Sequence, residues 1–284
     1  LVQNTINKNL SFPLTESTED NWQGAFNAME VLRYQSPWIN GRIDTAAEQL
    51  LSRSANFQRA ALELFYSNYP GKYYQAAKFL LMQTTDAKIF AMCAAYILNS
   101  DKAEEDINFL LVKTKQQLQL DPDNAILQQL LYQEEQFNKP VKKISIDGLL
   151  KKDYLPGHVL VFSFQRKNRD FPGLVMVRDA HGNFMKDSTG FYFGVPQLAR
   201  SITNLPGYLS NGNTPEGLFR MKGYDVSRSS FIGPTVNVQL TMPFEKTAAY
   251  FCANPGITDT SWNIQYYRNL LPKDLKDYYP MYQS

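Results

Sequence analysis

Two cysteines, Cys93 and Cys252, and two histidines, His158 and His181, are all that the 284 residues hold of the side chains most used as thiol nucleophiles, imidazole bases and transition-metal ligands. The cysteines lie far apart in sequence, so neither a disulfide framework nor a cysteine zinc site follows, and neither histidine stands at ligand spacing from a cysteine or a carboxylate. No metal is expected. Asn211-Gly212-Asn213 has neither the lysine nor the glycine spacing of a phosphate-cradling loop, and no cofactor is expected either. No apolar run in the chain approaches the roughly 18 residues of a membrane-spanning helix. Charge of one sign is lacking too: 29 basic and 27 acidic residues are spread along the chain for a formal net charge of +2, without a Lys/Arg block, which excludes an electrostatic footprint for nucleic acid. Leu1 in place of a methionine fits a processed, exported protein and a trimmed chain equally well.

What is present suffices for a substantial core, with 44% hydrophobic and 13% aromatic residues over a length that suggests one large or two medium domains. Residues up to about Asn138 are poor in glycine and rich in helix formers, whereas most glycine, proline and β-branched residues follow Pro140. The expected organisation is therefore α+β: an α-helical, repeat-like domain over 1–140 and a β-rich domain over 141–284. Ala60, Ala61, Leu64 and Phe65, then Ala76, Ala77, Leu80 and Leu81, then Ile89, Phe90, Cys93, Ala94, Ile97 and Leu98 recur at helical spacing. Breaks at Asn68-Tyr69-Pro70-Gly71, Thr84-Thr85-Asp86 and Asn99-Ser100-Asp101 make these a run of α-hairpins, the last two breaks offering oxygens to cap the next helix. Leu120-Asp121-Pro122-Asp123-Asn124-Ala125 looks like a tetratricopeptide helix junction, but no clean period of about 34 residues accompanies it, so repeat module and irregular bundle both stand.

After the boundary, Val159 to Phe164 and Gly173 to Arg178 read as a hairpin turning through Arg166 to Asp170. Asp179 to Asn183 reads as a second turn, and Phe191 to Val195, Leu218 to Met221 and Val236 to Leu240 as further strands.

One segment points to a chemistry. In Thr214-Pro215-Glu216-Gly217-Leu218-Phe219 the proline fixes one backbone angle and the glycine permits positive φ, which suits a sharp turn into a strand. Upstream stand paired strands and the small-residue run Leu205 to Gly212; downstream, Val236 to Leu240 leads into Thr241-Met242-Pro243-Phe244. This order over residues 155–245 resembles the L,D-transpeptidases, cysteine enzymes that cross-link peptidoglycan. The resemblance implies a cell-envelope protein, periplasmic or secreted, with a lipid anchor before Leu1 left open. Its implied partners are peptidoglycan stem peptides or glycan strands, with a protein partner for the helical part. It also implies a cleft framed by Thr214, Pro215, Gly217 and Phe219, in which a thiolate attacks the bond before the terminal D-residue of a donor peptide to form a thioester that an acceptor amine resolves.

The family's His-Gly strand and Ser-x-Gly-Cys box do not follow the Met-Pro step. Cys252, in Tyr250-Phe251-Cys252-Ala253-Asn254, lacks the glycine and serine of that box; it reads as a structural thiol and is kept only as a fallback nucleophile. The catalytic residues are thus unassigned, and two expectations compete: a transpeptidase whose nucleophile lies beyond Ser284, or a non-catalytic envelope-binding protein with a degenerate domain. Cys93 reads as core, and His181 as a turn residue that precedes the motif and so sits in the wrong order for the family. Glu104-Glu105-Asp106 reads as an acidic first helical turn, and the aromatic tail, Tyr266-Tyr267 and Tyr278-Tyr279-Pro280-Met281-Tyr282, as packing or a partner contact.

Overall fold

The computed structural model describes residues 2–32, 34–139, 145–166, 171–202, 205–209, 213–219, 221, 224–226, 234, 236–237, 247, 249, 256 and 258. The first part is helical: α1 (Val2–Ser11), α2 (Glu19–Leu32), α3 (Pro37–Glu48), α4 (Ala55–Asn68), α5 (Tyr74–Gln83), α6 (Ala87–Leu98), α7 (Ala103–Leu120) and α8 (Ala125–Gln136). Their starts are chemically marked. Ser36 Oγ accepts from Ile39 N at 3.2 Å ahead of Pro37, Ser54 Oγ from Phe57 N at 3.3 Å, and Asp86 Oδ1 from Ile89 N at 2.9 Å. Each satisfies an amide that the first turn leaves without an intrahelical partner. Asn124 caps α8 the same way, so the Leu120–Ala125 junction is a helix-to-helix turn as expected. The expected cap at Asn99-Ser100-Asp101 is not made: Ser100 Oγ is taken by Lys102 N at 3.2 Å, and α7 starts after Lys102 without a side-chain cap.

Helix α6 is the axis of the bundle. Every residue from Ile89 to Ile97 is buried, because its sequence is apolar on all sides and other helices surround it. It packs on α4, α5, α7 and α8, while α2 packs on α1 and reaches past α3 to α4. The Tyr96 hydroxyl ties this axis to the α4–α5 turn, accepting from Tyr73 N at 2.9 Å and donating to Tyr69 O at 2.6 Å. Arg42, on α3, donates to Leu10 O at 2.8 Å and Phe12 O at 2.7 Å, a cation placed where α1 exposes its last carbonyls.

The second part opens with the short helix α9 (Ile146–Leu150) and a sheet of β1 (Leu160–Phe164), β2 (Gly173–Arg178) and β3 (Gly194–Gln197), antiparallel in the order β1-β2-β3. The expected hairpin is present in register, with Phe162 opposite Met176; residues 167–170 of its turn lie outside the described residues. One face carries Phe162 parallel to Phe164, with Phe184 5.5 Å from Phe162 and edge-on to Tyr192. Arg178, 1% exposed, closes the end of that face, donating to Lys151 O and Tyr154 O and lying 5.6 Å from the Phe162 ring. The strand expected at Phe191 begins instead at Gly194, because Asp187 Oδ1 accepts from Thr189 N and Phe191 N and curls that stretch into a turn.

The turn at Asp179–Asn183 is as expected, with Asp179 Oδ1 accepting from His181 N and Asn183 N at 2.9 and 2.8 Å. Gly182 has φ +84°, and a Cβ there would stand 2.7 Å from Lys152 O. Gly182→Ala is therefore expected to lower stability by about 2 kcal/mol, from the left-handed backbone alone and more from the clash; an unchanged urea midpoint would contradict this.

The helical core does not stop at Pro140. Leu205, Tyr208 and Leu209 are 2–3% exposed within the same apolar cluster as Phe65, Tyr66 and α6. The chain after the sheet thus returns to the helices before it reaches the Thr-Pro-Glu-Gly segment.

Candidate functional site

Two short strands carry that segment: β4 (Ser201–Ile202) runs parallel to β5 (Thr214–Pro215). Thr214 N donates to Arg200 O at 2.9 Å and Glu216 N to Ile202 O at 3.2 Å, while Ser201 Oγ donates to Thr214 O at 2.9 Å. A proline survives in this ladder because a parallel pair uses alternate amides; the two in use flank Pro215, whose missing N–H leaves no bond unmade. The strand expected over Leu218 to Met221 is accordingly displaced: pairing occurs at Thr214–Pro215, and Leu218 forms only an isolated bridge position. Arg220 and the Met-Pro step at Met242-Pro243 lie outside the described residues, as does Leu240; β7 covers Val236–Asn237 and pairs antiparallel with β6 (Asp225–Val226).

The ribbon is fastened to the helices by Arg200. This side chain is 5% exposed and donates to Ser67 O at 2.6 Å and Asn68 Oδ1 at 3.2 Å, the C-terminal end of α4. A guanidinium is suited to that place: it stays charged when buried, satisfies two acceptors from one plane and lies at the negative end of the helix dipole. Asn68 is itself held, its Nδ2 donating to Met29 O at 2.9 Å. On this mount Thr214, Glu216 and Gly217 face solvent, and Leu218 and Phe219 are half-buried. Thr214 and Gly217 are thus exposed on either side of Pro215 and Glu216, with Phe219 half-buried two residues further on.

Among the described residues the candidate nucleophiles and bases are not gathered there. Cys93 is fully enclosed on α6, and burial pushes its thiol far above the usual range. His158 is exposed, its Nδ1 3.0 Å from Pro156 O, and His181 sits in the Asp179 turn. Cys252 and the aromatic tail lie outside the described residues. Among the described residues no group of three or more His, Cys, Asp and Glu is assembled to hold a metal ion, and no helix is long and apolar enough to cross a membrane.

Two polar clusters escape a reading of the sequence. Asp106, the third residue of the acidic first turn of α7, is buried and accepts from Tyr74 Oη and from Lys78 Nζ at 2.7 Å. Burial raises its carboxyl, but the bonds from Lys78 and Tyr74 outweigh burial and hold it below the usual range. The Tyr74 and Lys78 spacing of four on α5 was the available signal. The second cluster centres on Glu134 of α8, 2% exposed, whose Oε1 accepts from Thr114 Oγ1 at 2.9 Å. Desolvation lifts its carboxyl to about 8, with Glu135 adding to the rise and Thr114 and Lys115 opposing it. The Tyr208 hydroxyl donates to the neighbouring Gln133 Oε1 at 3.2 Å.

Elsewhere a shallow depression is lined by Asn7, Tyr34, Ser36 and Trp38, the indole 49% exposed beside a half-buried phenol. Set against protein-family models, curated proteins and solved structures, the chain finds no match in any of the three.

Proposed function

We propose that this chain is a cell-envelope protein that engages peptidoglycan through an L,D-transpeptidase-like β region. The observation that supports this reading is the Thr-Pro-Glu-Gly turn itself, solvent-facing on a ribbon bolted by Arg200 to α4. Such an exposed segment suits an extended stem peptide, which can lie along a short strand edge. In the catalytic form of the proposal, a thiolate outside the described residues attacks the carbonyl before the terminal D-residue. The D-amino acid then leaves with its amine protonated, and an acceptor amine displaces the thiol from the thioester. That nucleophile is expected beyond Ser284, with Cys252 as the fallback.

Calorimetric titration with a stem tetrapeptide ending in a D-residue tests the binding step, and intact mass after incubation with donor and acceptor tests transfer. Binding weakened by Phe219→Ala supports this segment as the site, and a thioester adduct lost in Cys252→Ala would move the chemistry to that thiol. No binding at millimolar peptide would overturn the proposal in both its forms.

A non-catalytic binding role is the second reading, and the exposed Trp38 beside Tyr34 favours it. A flat indole with amide and hydroxyl neighbours suits the apolar face and hydroxyl rim of a sugar ring. Trp38→Ala is expected to weaken retention on glycan strands about fivefold, the equivalent of about 1 kcal/mol, in a cosedimentation assay. Undiminished retention would remove the depression from the account.

A further inference from the structure

We propose that Glu134 is a proton-operated latch for the segment that carries the Thr-Pro-Glu-Gly turn: neutral, it lies beneath the docked Gly207–Leu209 turn; ionised, it drives that turn off the helices and loosens the β4–β5 ribbon. The geometry places an acid where an anion has little support. Glu134 is buried, its Oε1 has one donor in Thr114, and its Oε2 has no hydrogen-bond partner among the described residues. The buried Tyr208 of the turn reaches this region: its Oη bonds to Gln133, the residue before the acid, and feels the charge of Glu134.

The charged and titratable groups around the carboxyl do not rescue the anion. On α7, Lys115 favours it weakly; on α8 itself, Glu135 opposes it. From the turn comes Tyr208, whose hydroxyl is pushed well up by burial first and then by Tyr66 of α4 and by Glu134. Tyr66 is raised too, by burial. On α6, the remaining helix packed on α8, Tyr96 is committed to Tyr69 O and Tyr73 N, and Cys93 is a sealed neutral thiol. Both tyrosines are therefore neutral donors or acceptors through the range in which Glu134 gives up its proton.

An ionised carboxylate in such a site must regain water or a cation. Separating α7 from α8 would expose a long helical contact. Lifting the turn gives up the docked Leu205, Tyr208 and Leu209 and the Tyr208–Gln133 hydrogen bond, a smaller contact than the α7–α8 packing, so the turn is the part that moves. Glu216 N, bonded to Ile202 O on the side nearer that turn, loosens with it, whereas Thr214 N stays on the carbonyl of Arg200, which α4 holds.

Amide hydrogen exchange of the full chain, corrected for intrinsic base catalysis, tests the latch. Between pH 6 and 8 the opening equilibrium at Leu209 and Glu216 is expected to rise about tenfold per pH unit, as release of a single proton requires, while Thr214 and the α7 and α8 amides stay protected. In Glu134→Gln the same amides should show a flat profile, and Glu134→Met provides the same neutral test should the glutamine variant fold poorly. A slope that persists in the neutral variants, a flat wild-type profile, or α7 and α8 opening in step with the turn would each overturn the latch.

Discussion

Arg200→Ala is expected to lower stability by about 3 kcal/mol and to detach the Thr-Pro-Glu-Gly ribbon from the helices. The substitution strips the guanidinium from Ser67 O and Asn68 Oδ1, both in buried surroundings. Bonds from a charged donor contribute about 1.5–3 kcal/mol each, and an orphaned buried acceptor costs about 1–3 kcal/mol. The two effects describe the same loss from opposite sides, which is why the total is not their sum. Asn68 offers no easy relief, because its Nδ2 is held by Met29 O, which fixes the amide rather than letting it turn toward water. Urea unfolding measures the loss. Arg200→Lys should recover part of it, since an ammonium can reach one acceptor but not span two in a plane. A loss in Arg200→Ala below about 0.5 kcal/mol, the range of ordinary surface changes, would mean that the ribbon is not mounted through this side chain. The same variant should lose stem-peptide binding if the Thr-Pro-Glu-Gly segment is the site, because Thr214 N would no longer be held against Arg200 O in a fixed place.

Why this arginine is silent in the sequence is instructive. Leu198-Ala199-Arg200-Ser201 has no local pattern, and the partner that gives Arg200 its meaning is the end of a helix 132 residues earlier. Helix α6, by contrast, is legible because everything that makes it a central helix is within its own twelve residues: apolar positions on every side and Asp86 immediately before them. The β1–β2 hairpin is legible for the same reason, its β-branched and aromatic runs being bounded by turn residues. Long-range contacts decide the rest. Asp106 ends a run that reads as an acidic first helical turn, Glu134 stands in the polar run Gln133-Glu134-Glu135-Gln136, and only tertiary packing buries them. The pairing lies a few residues ahead of the strand expected from Leu218 because Pro215 reads as part of a sharp turn, whereas parallel pairing leaves room for it within a strand. The boundary near Pro140 was drawn from composition, which cannot register that Leu205, Tyr208 and Leu209 return to the helical core.

Glu134 gives the second large effect, a stability that falls as pH rises through the neutral range. In the unfolded chain its carboxyl titrates near its ordinary value of 4.5, and in the fold near 8. Between those values the native state holds a proton that the unfolded state has released, so rising pH favours unfolding by about 1.4 kcal/mol per unit. By pH 7 the loss relative to pH 4.5 is about 3 kcal/mol on this linkage. Asp44, Asp86 and Asp106 act the other way: their carboxyls lie below the ordinary value of 3.8, so the stability they add is lost as pH falls through the acid range. The wild-type curve should therefore peak near pH 5, and Glu134→Gln should keep the acid limb while flattening the neutral one. Urea unfolding at intervals from pH 4 to 9 measures both limbs, and a neutral limb that survives in Glu134→Gln would assign the titration to another group. Where the curve levels off carries further information. If the Gly207–Leu209 turn lifts away and rehydrates the carboxylate, the fold loses no more than the free energy of docking that turn. The limb then flattens before pH 8, and the height of the early plateau is the docking energy of the Gly207–Leu209 turn.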